Sequence, residues 1–179
     1  SHITESQIEM KKGMKTVVFV PLAHGYRHGT LSKDAMLRCD TAIAEAQKYI
    51  QDPQTNIVFG FGAGGTKEKT QARYMEEYVL QVDTTLTTVA NHDEVSVFGT
   101  LEELQWVVEK VQGMYEAPHF IIVSQARHLR RARIICSWFF RKDISFEFVD
   151  SGHVREIQLR HELRAYIRLI LLKMKLLRP

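Results

Sequence analysis

The sequence predicts an α/β protein: a mostly parallel sheet of about five strands with helices on both faces and one long helix at the carboxyl end. Three observations carry that expectation. Short apolar runs recur at Thr16–Val20, Asn56–Phe59, Leu86–Val89, His119–Val123 and Ile144–Val149, each too short for a helix. Between them lie longer segments whose apolar residues fall three and four apart, the helical period. A polar or glycine-bearing cluster then follows each run, and open parallel sheets bind ligands beyond the carboxyl ends of their strands.

In chain order, residues 1–13 are polar and without periodicity and read as a tail, and one α/β domain follows over 14–179. Thr16–Val20 is β-branched and aromatic, as a buried strand requires. Pro21–Thr30 is a loop carrying His24 and His28. Asp34–Tyr49 reads as a helix with Ser32 as its N-cap and Ala35, Leu37, Ala42, Ile43, Ala46 and Ile50 turned inward; Asp52-Pro53 ends it. Asn56–Phe59 is the second strand. It runs straight into Gly60–Gly65, a glycine loop whose free amides suit a phosphate or carboxylate. The loop is neither the dinucleotide fingerprint nor a P-loop, since it follows the second strand and lacks the Lys-Ser/Thr ending.

Lys67–Leu80 is the next helix, and Leu86–Val89 a short third strand. Thr100 opens a helix running to Met114, with Thr100 as N-cap and Glu103 reaching back to it, a capping box that accounts for Glu103 structurally. His119–Val123 leads into a helix at Arg131–Phe140, and Ile144–Val149 is the last strand. The closing helix, 155–177, bears an apolar stripe at Leu159, Leu163, Tyr166 or Ile167, Ile170, Met174 and Leu177, with Arg160, Arg164, Arg168, Lys173 and Lys175 mostly off it. Its apolar face is wider than a surface helix needs. Packing on the sheet is the first reading, a homodimer contact the second and a basic face on anionic lipid the third.

Among 179 residues, 45% are hydrophobic and 25% charged, the proportions of a globular protein able to bury a core. A net charge of +3 gives no ground for a nucleic-acid partner. No apolar run reaches the roughly 18–20 residues that cross a bilayer. Cys39 and Cys136 stand on helices and form no metal spacing; a reducing, cytoplasmic compartment fits, with one disulfide as the alternative. Two loop histidines without a third ligand make a poor metal site, so no metal is expected.

The stretch Val123–Ala132 carries the chemistry. It passes from strand to helix, where free amides and the positive dipole end favour an anion. His128 and Arg131, three apart, share a helical face. The stretch resembles the V-T-S-x-x-H-x-x-R-A signature of the domain of unknown function 218 family, the SanA/YdcF-like proteins, through Val123, Ser124, His128, Arg131 and Ala132. Gly29, Ser32 and Arg38 are similar to that family's first glycine-bearing loop and its arginine. Gly60–Gly65 with Thr70–Ala72 resembles its S-G-G and Ser-Glu-Ala segment, with Gln71 at the acidic position. Glu94, Ser96, Thr100 and Glu102 resemble its E-x-x-S-x-x-T-x-E-N segment, with Glu103 at the Asn position.

The resemblance implies a Rossmann-like fold with a cleft at the strand ends. It also implies a link to cell-envelope processes, S-adenosylmethionine as a possible cofactor, and envelope association if an amino-terminal anchor has been removed. Joined to the residues, it gives an enzyme acting on an anionic, phosphorylated or nucleotide-like small molecule. His128 would move a proton near neutral pH, with Glu102 as the catalytic carboxylate and Glu94 as the other candidate, both supporting it. Arg131 and Arg38 would clamp the anion, the amides of Gly62, Gly64 and Gly65 would cradle it, and Ser124, Gln71 and Thr100 would complete the site. The alternative is a binding module for a nucleotide or S-adenosylmethionine, without chemistry.

Overall fold

The structure, a computed structural model, describes residues 13–24, 26–27, 30–66, 68–152 and 159–176. The strands are β1 (Lys15–Pro21), β2 (Tyr26–Arg27), β3 (Thr30–Leu31), β4 (Thr55–Phe61), β5 (Thr87–Ala90), β6 (His119–Ser124) and β7 (Ser145–Asp150). The helices are α1 (Lys33–Ala46), α2 (Gln71–Val82), α3 (Thr100–Gln112), α4 (Ala126–Phe139) and α5 (Leu159–Leu176). Five strands form one all-parallel sheet in the order β5-β4-β1-β6-β7, a Rossmann-like arrangement.

Alternation along β1 builds both layers of the core. Val17 and Phe19 face α1 and α2, where Cys39, Ala42, Met75 and Val79 pack on them. Val18 and Val20 face the opposite layer, with Leu104, Val107 and Val111 of α3, Leu129 and Ile135 of α4, and Leu169 of α5. Phe19, Phe59, Phe61 and Phe120 are almost wholly buried, and each ring of that kind contributes on the order of 2–3 kcal/mol by leaving water.

The strand order positions the site. From β1 the chain moves through α1 to β4 and then β5, on one side. It then crosses by α3 to β6, on the other side of β1. Strand order therefore switches between β1 and β6, and a crevice opens beyond their carboxyl ends.

Several local expectations change. The loop after β1 contains a two-residue antiparallel pairing, β2 with β3, too short to leave an apolar pattern. His28 and Gly29 lie outside the described residues. The first helix ends at Ala46, so Ile50 is exposed rather than inward, although Ser32 does cap the helix by accepting from Ala35 N–H at 3.1 Å. The helix after β6 begins five residues early, at Ala126, which brings His128 into its first turn. The terminal helix turns a different face to the core: Leu169 is buried and Leu172 packs beside it, while Ile167, Ile170 and Met174 of the expected inward stripe are exposed. Residues 155–158 and 177 of the expected helix lie outside the described residues. No described helix is long and apolar enough to cross a membrane.

Candidate functional site

A cleft of about 470 Å³ opens at the switch point, within the range that small ligands occupy. His24 from the end of β1, Gln71 of α2, Thr100 and Glu103 of α3, and His128 and Arg131 of α4 contribute its side chains; Arg38 lies in its floor.

Arg38 is 1% exposed. Both its terminal nitrogens are held by the protein, while its Nε is buried without a partner at the cleft. One terminal nitrogen donates to the carbonyls of Leu22 (2.7 Å) and Ala23 (2.9 Å), and the other donates to Gln125 Oε1. Arg38 thus ties the end of β1 to the residue that follows β6, bridging the two strands between which the order switches. Burial brings its pKa down to about 10, against the opposing pull of Glu103 and Asp34.

The carboxylate in the cleft is Glu103, not Glu102. Glu102 points away and pairs with Arg168 of α5 at 2.9 Å. Glu94, the other carboxylate considered, is exposed and lies 3.9 Å from Lys110. Nor does a capping box form, because the N-cap is Gly99 at φ 96°, with no side-chain cap. Glu103 instead turns inward, 4% exposed, and its Oε1 accepts the Ala23 amide at 2.8 Å. Burial pushes its carboxyl up to about 7, while that amide and the Arg38 charge pull the other way. A group with such a pKa exchanges protons at neutral pH.

His128 is held on both ring nitrogens. Its Nδ1 meets Ser124 Oγ at 2.8 Å and its Nε2 meets Thr100 Oγ1 at 2.9 Å, so both ring nitrogens are occupied. Burial first, then the charges of Arg38, Arg131 and His24, hold its pKa well below the ordinary 6.5. A neutral imidazole between two hydroxyls fixes them rather than carrying a proton at pH 7. Thr100 Oγ1 also receives a hydrogen bond from Arg131 at 3.4 Å. Ser124, His128, Thr100 and Arg131 therefore form one chain that aims a cation at the start of α3, where the helix dipole is positive.

Two of the glycine-loop amides, those of Gly64 and Gly65, are taken by backbone carbonyls. Gly64 N–H donates to Val97 O at 2.9 Å and Gly65 N–H to Val95 O at 3.3 Å, which bind the segment before α3 to the loop after β4. Gly62 is a contact point for α3 itself, since a Cβ there would lie 2.3 Å from the carbonyl oxygen of Glu103. Gly62→Ala should push α3 off the sheet and cost about 2 kcal/mol, read as a lower urea midpoint with an unchanged slope. Gly64 and Gly65 do line the cleft, and so does Gln71, 8% exposed, whose Nε2 is buried without a partner.

Asn91, which the sequence does not single out, ties the turn after β5 to the glycine loop, behind the cleft lining. Its Nδ2 donates to Gly62 O and Glu94 O, and its Oδ1 accepts from the amides of Asp93 and Glu94. An Asn just after a strand is the signal for such a turn. Among the described residues, no three of His, Cys, Asp and Glu gather as a metal site would need. No family model matches the chain, and no curated protein or solved structure does either.

Proposed function

We propose that the chain is an enzyme that binds an anionic small molecule, phosphorylated or nucleotide-like, in the cleft and moves a proton on it through Glu103. One observation carries this reading: a buried carboxyl with a pKa of about 7 faces the same cleft as Arg131, which is held at the amino terminus of α3. Arg131 would hold the anion, since guanidinium matches phosphate and carboxylate in two-pronged fashion. The Ala23 amide engages Oε1 of Glu103, and Oε2 would be the oxygen that meets the bound molecule. His128 and Ser124 serve as positioning residues, acting through Thr100. The likeness to the SanA/YdcF-like family belongs to the same proposal. Its support is that Gln71, Thr100, His128 and Arg131, drawn from three separated segments of that likeness, all line one cleft. A cytoplasmic setting, read from the two thiols, is likewise part of it.

A second reading, a nucleotide or S-adenosylmethionine binding module without chemistry, is favoured by Gln71, a neutral side chain where the likeness places a carboxylate. Turnover of a bound compound by the wild type would decide against that module.

Thermal unfolding tests the proposal. Wild type and Arg131→Ala are compared against nucleotides, S-adenosylmethionine, sugar phosphates and pyrophosphate. A compound at ~100 times its dissociation constant adds about 2.7 kcal/mol to the wild type and should add almost nothing to the variant. Equal responses of the two proteins, or no response to any compound, would overturn it.

A further inference from the structure

The outer face of α5 is apolar although its inner face already packs on the core. Ile167, Ile170, Leu171 and Met174 are each about half exposed or more. At about 100° of turn per residue, these four fall within one arc of roughly 100° on the side opposite Leu169 and Leu172. The same turn places Arg164, Arg168 and Lys175 together along one edge of that arc. The helix sequence, Leu159–Leu176, holds five Arg and Lys against the single acid Glu162.

Beside that edge lies a groove of about 280 Å³ bordered by Arg131, Arg164 and Arg168, with Glu102 the one carboxylate, paired to Arg168, and Leu169 and Leu172 on its apolar side. Trp138, at the end of α4, is partly exposed, and its carbonyl accepts from Lys173 of α5 at 2.9 Å.

We propose that this face docks on an anionic phospholipid bilayer, with Ile167, Ile170, Leu171 and Met174 entering the boundary between headgroups and acyl chains. Arg164 and Lys175 would meet the headgroup phosphates, while Arg168 stays paired with Glu102. Charge decides the occupant. A second copy would bring a like-charged edge against this one, whereas an anionic surface supplies the opposite sign, and long basic side chains keep their heads at the interface while their stems cover apolar surface. A single short apolar face gives reversible rather than permanent attachment, and its strength should fall with salt.

The test is co-sedimentation of the full chain with vesicles of phosphatidylcholine alone and of phosphatidylcholine with 30 mol% phosphatidylglycerol. Binding is expected to be at least tenfold stronger to the anionic vesicles and to weaken severalfold from 0.05 to 0.5 M salt. Ile170→Ser/Met174→Ser changes only exposed positions, so it should fold normally by circular dichroism yet lose the binding. Arg164→Glu/Lys175→Glu should lose the preference for anionic lipid. Three results would overturn the proposal: no binding to either vesicle, unaltered binding of the serine variant, or a wild-type dimer in sedimentation equilibrium that the serine variant abolishes while vesicles remain unbound.

Discussion

Arg38→Met should lower folding stability by about 3–5 kcal/mol, the cost of stranding one half of a buried charged arrangement. The substitution keeps length and apolar volume but removes the donors to Leu22 O, Ala23 O and Gln125 Oε1. Those acceptors lose their donors, and Glu103 loses the charge that favours its ionised form. A urea titration gives the loss, and the double variant Arg38→Met/Glu103→Gln should recover part of it, because a contacting charge network is not additive. Arg131→Met, at a partly buried position, should cost under about 1 kcal/mol. Similar losses for the two arginines would refute the distinction between a structural and a ligand-facing guanidinium.

Glu103→Gln should have the opposite sign at alkaline pH. The folded carboxyl sits at about 7 against an ordinary 4.5, so between those values the folded state binds more protons than the unfolded one. The wild type is therefore favoured fully below pH 4.5, loses stability as pH rises towards 7, and is level above that. One pKa unit is 1.36 kcal/mol, so at pH 8 the ionised Glu103 costs the fold roughly 3 kcal/mol that Gln would not. The variant should thus be more stable than wild type at pH 8 and nearly equal at pH 4.5, while any turnover falls by about 10²–10⁴-fold and anion binding persists. A carboxyl that weakens the fold it sits in is what a functional group held against its own solvation looks like. Denaturant midpoints across pH check the sign. A variant less stable at every pH would contradict it.

The alternation that predicts the sheet is legible because each strand is an apolar run and each helix keeps its period. The cleft at the strand ends follows from the sheet order, which short right-handed connections restrict. What was misread is local and has physical causes. Glu103 and Glu102 are neighbours, and the Thr100–Glu103 spacing offers a sufficient helix-cap explanation for the wrong one. A better signal was present: Glu103 lies four residues before Val107 and eight before Val111, which puts a carboxylate on the buried stripe of its own helix.

The glycine loop reads as open to a ligand because a sequence does not show which carbonyls will claim its amides. Here Val95 and Val97, some thirty residues on, do so. His128 looked like a proton carrier because its ordinary pKa is near neutral, and only tertiary structure places two hydroxyls and two arginines round it. The terminal helix carries apolar residues on two faces, so periodicity does not choose between them. Leu169 and Leu172 won the inner one.

The most direct measurement is a carbon-13 NMR titration of the Glu103 carboxyl, assigned by its loss in Glu103→Gln, with and without pyrophosphate as the anionic probe. The cleft described here predicts a midpoint near 7, moving higher when an anion occupies the neighbouring space, because a nearby negative charge favours the protonated acid. A midpoint near the ordinary 4.5, or one that pyrophosphate leaves where it was, would contradict a proton carrier placed beside a bound anion.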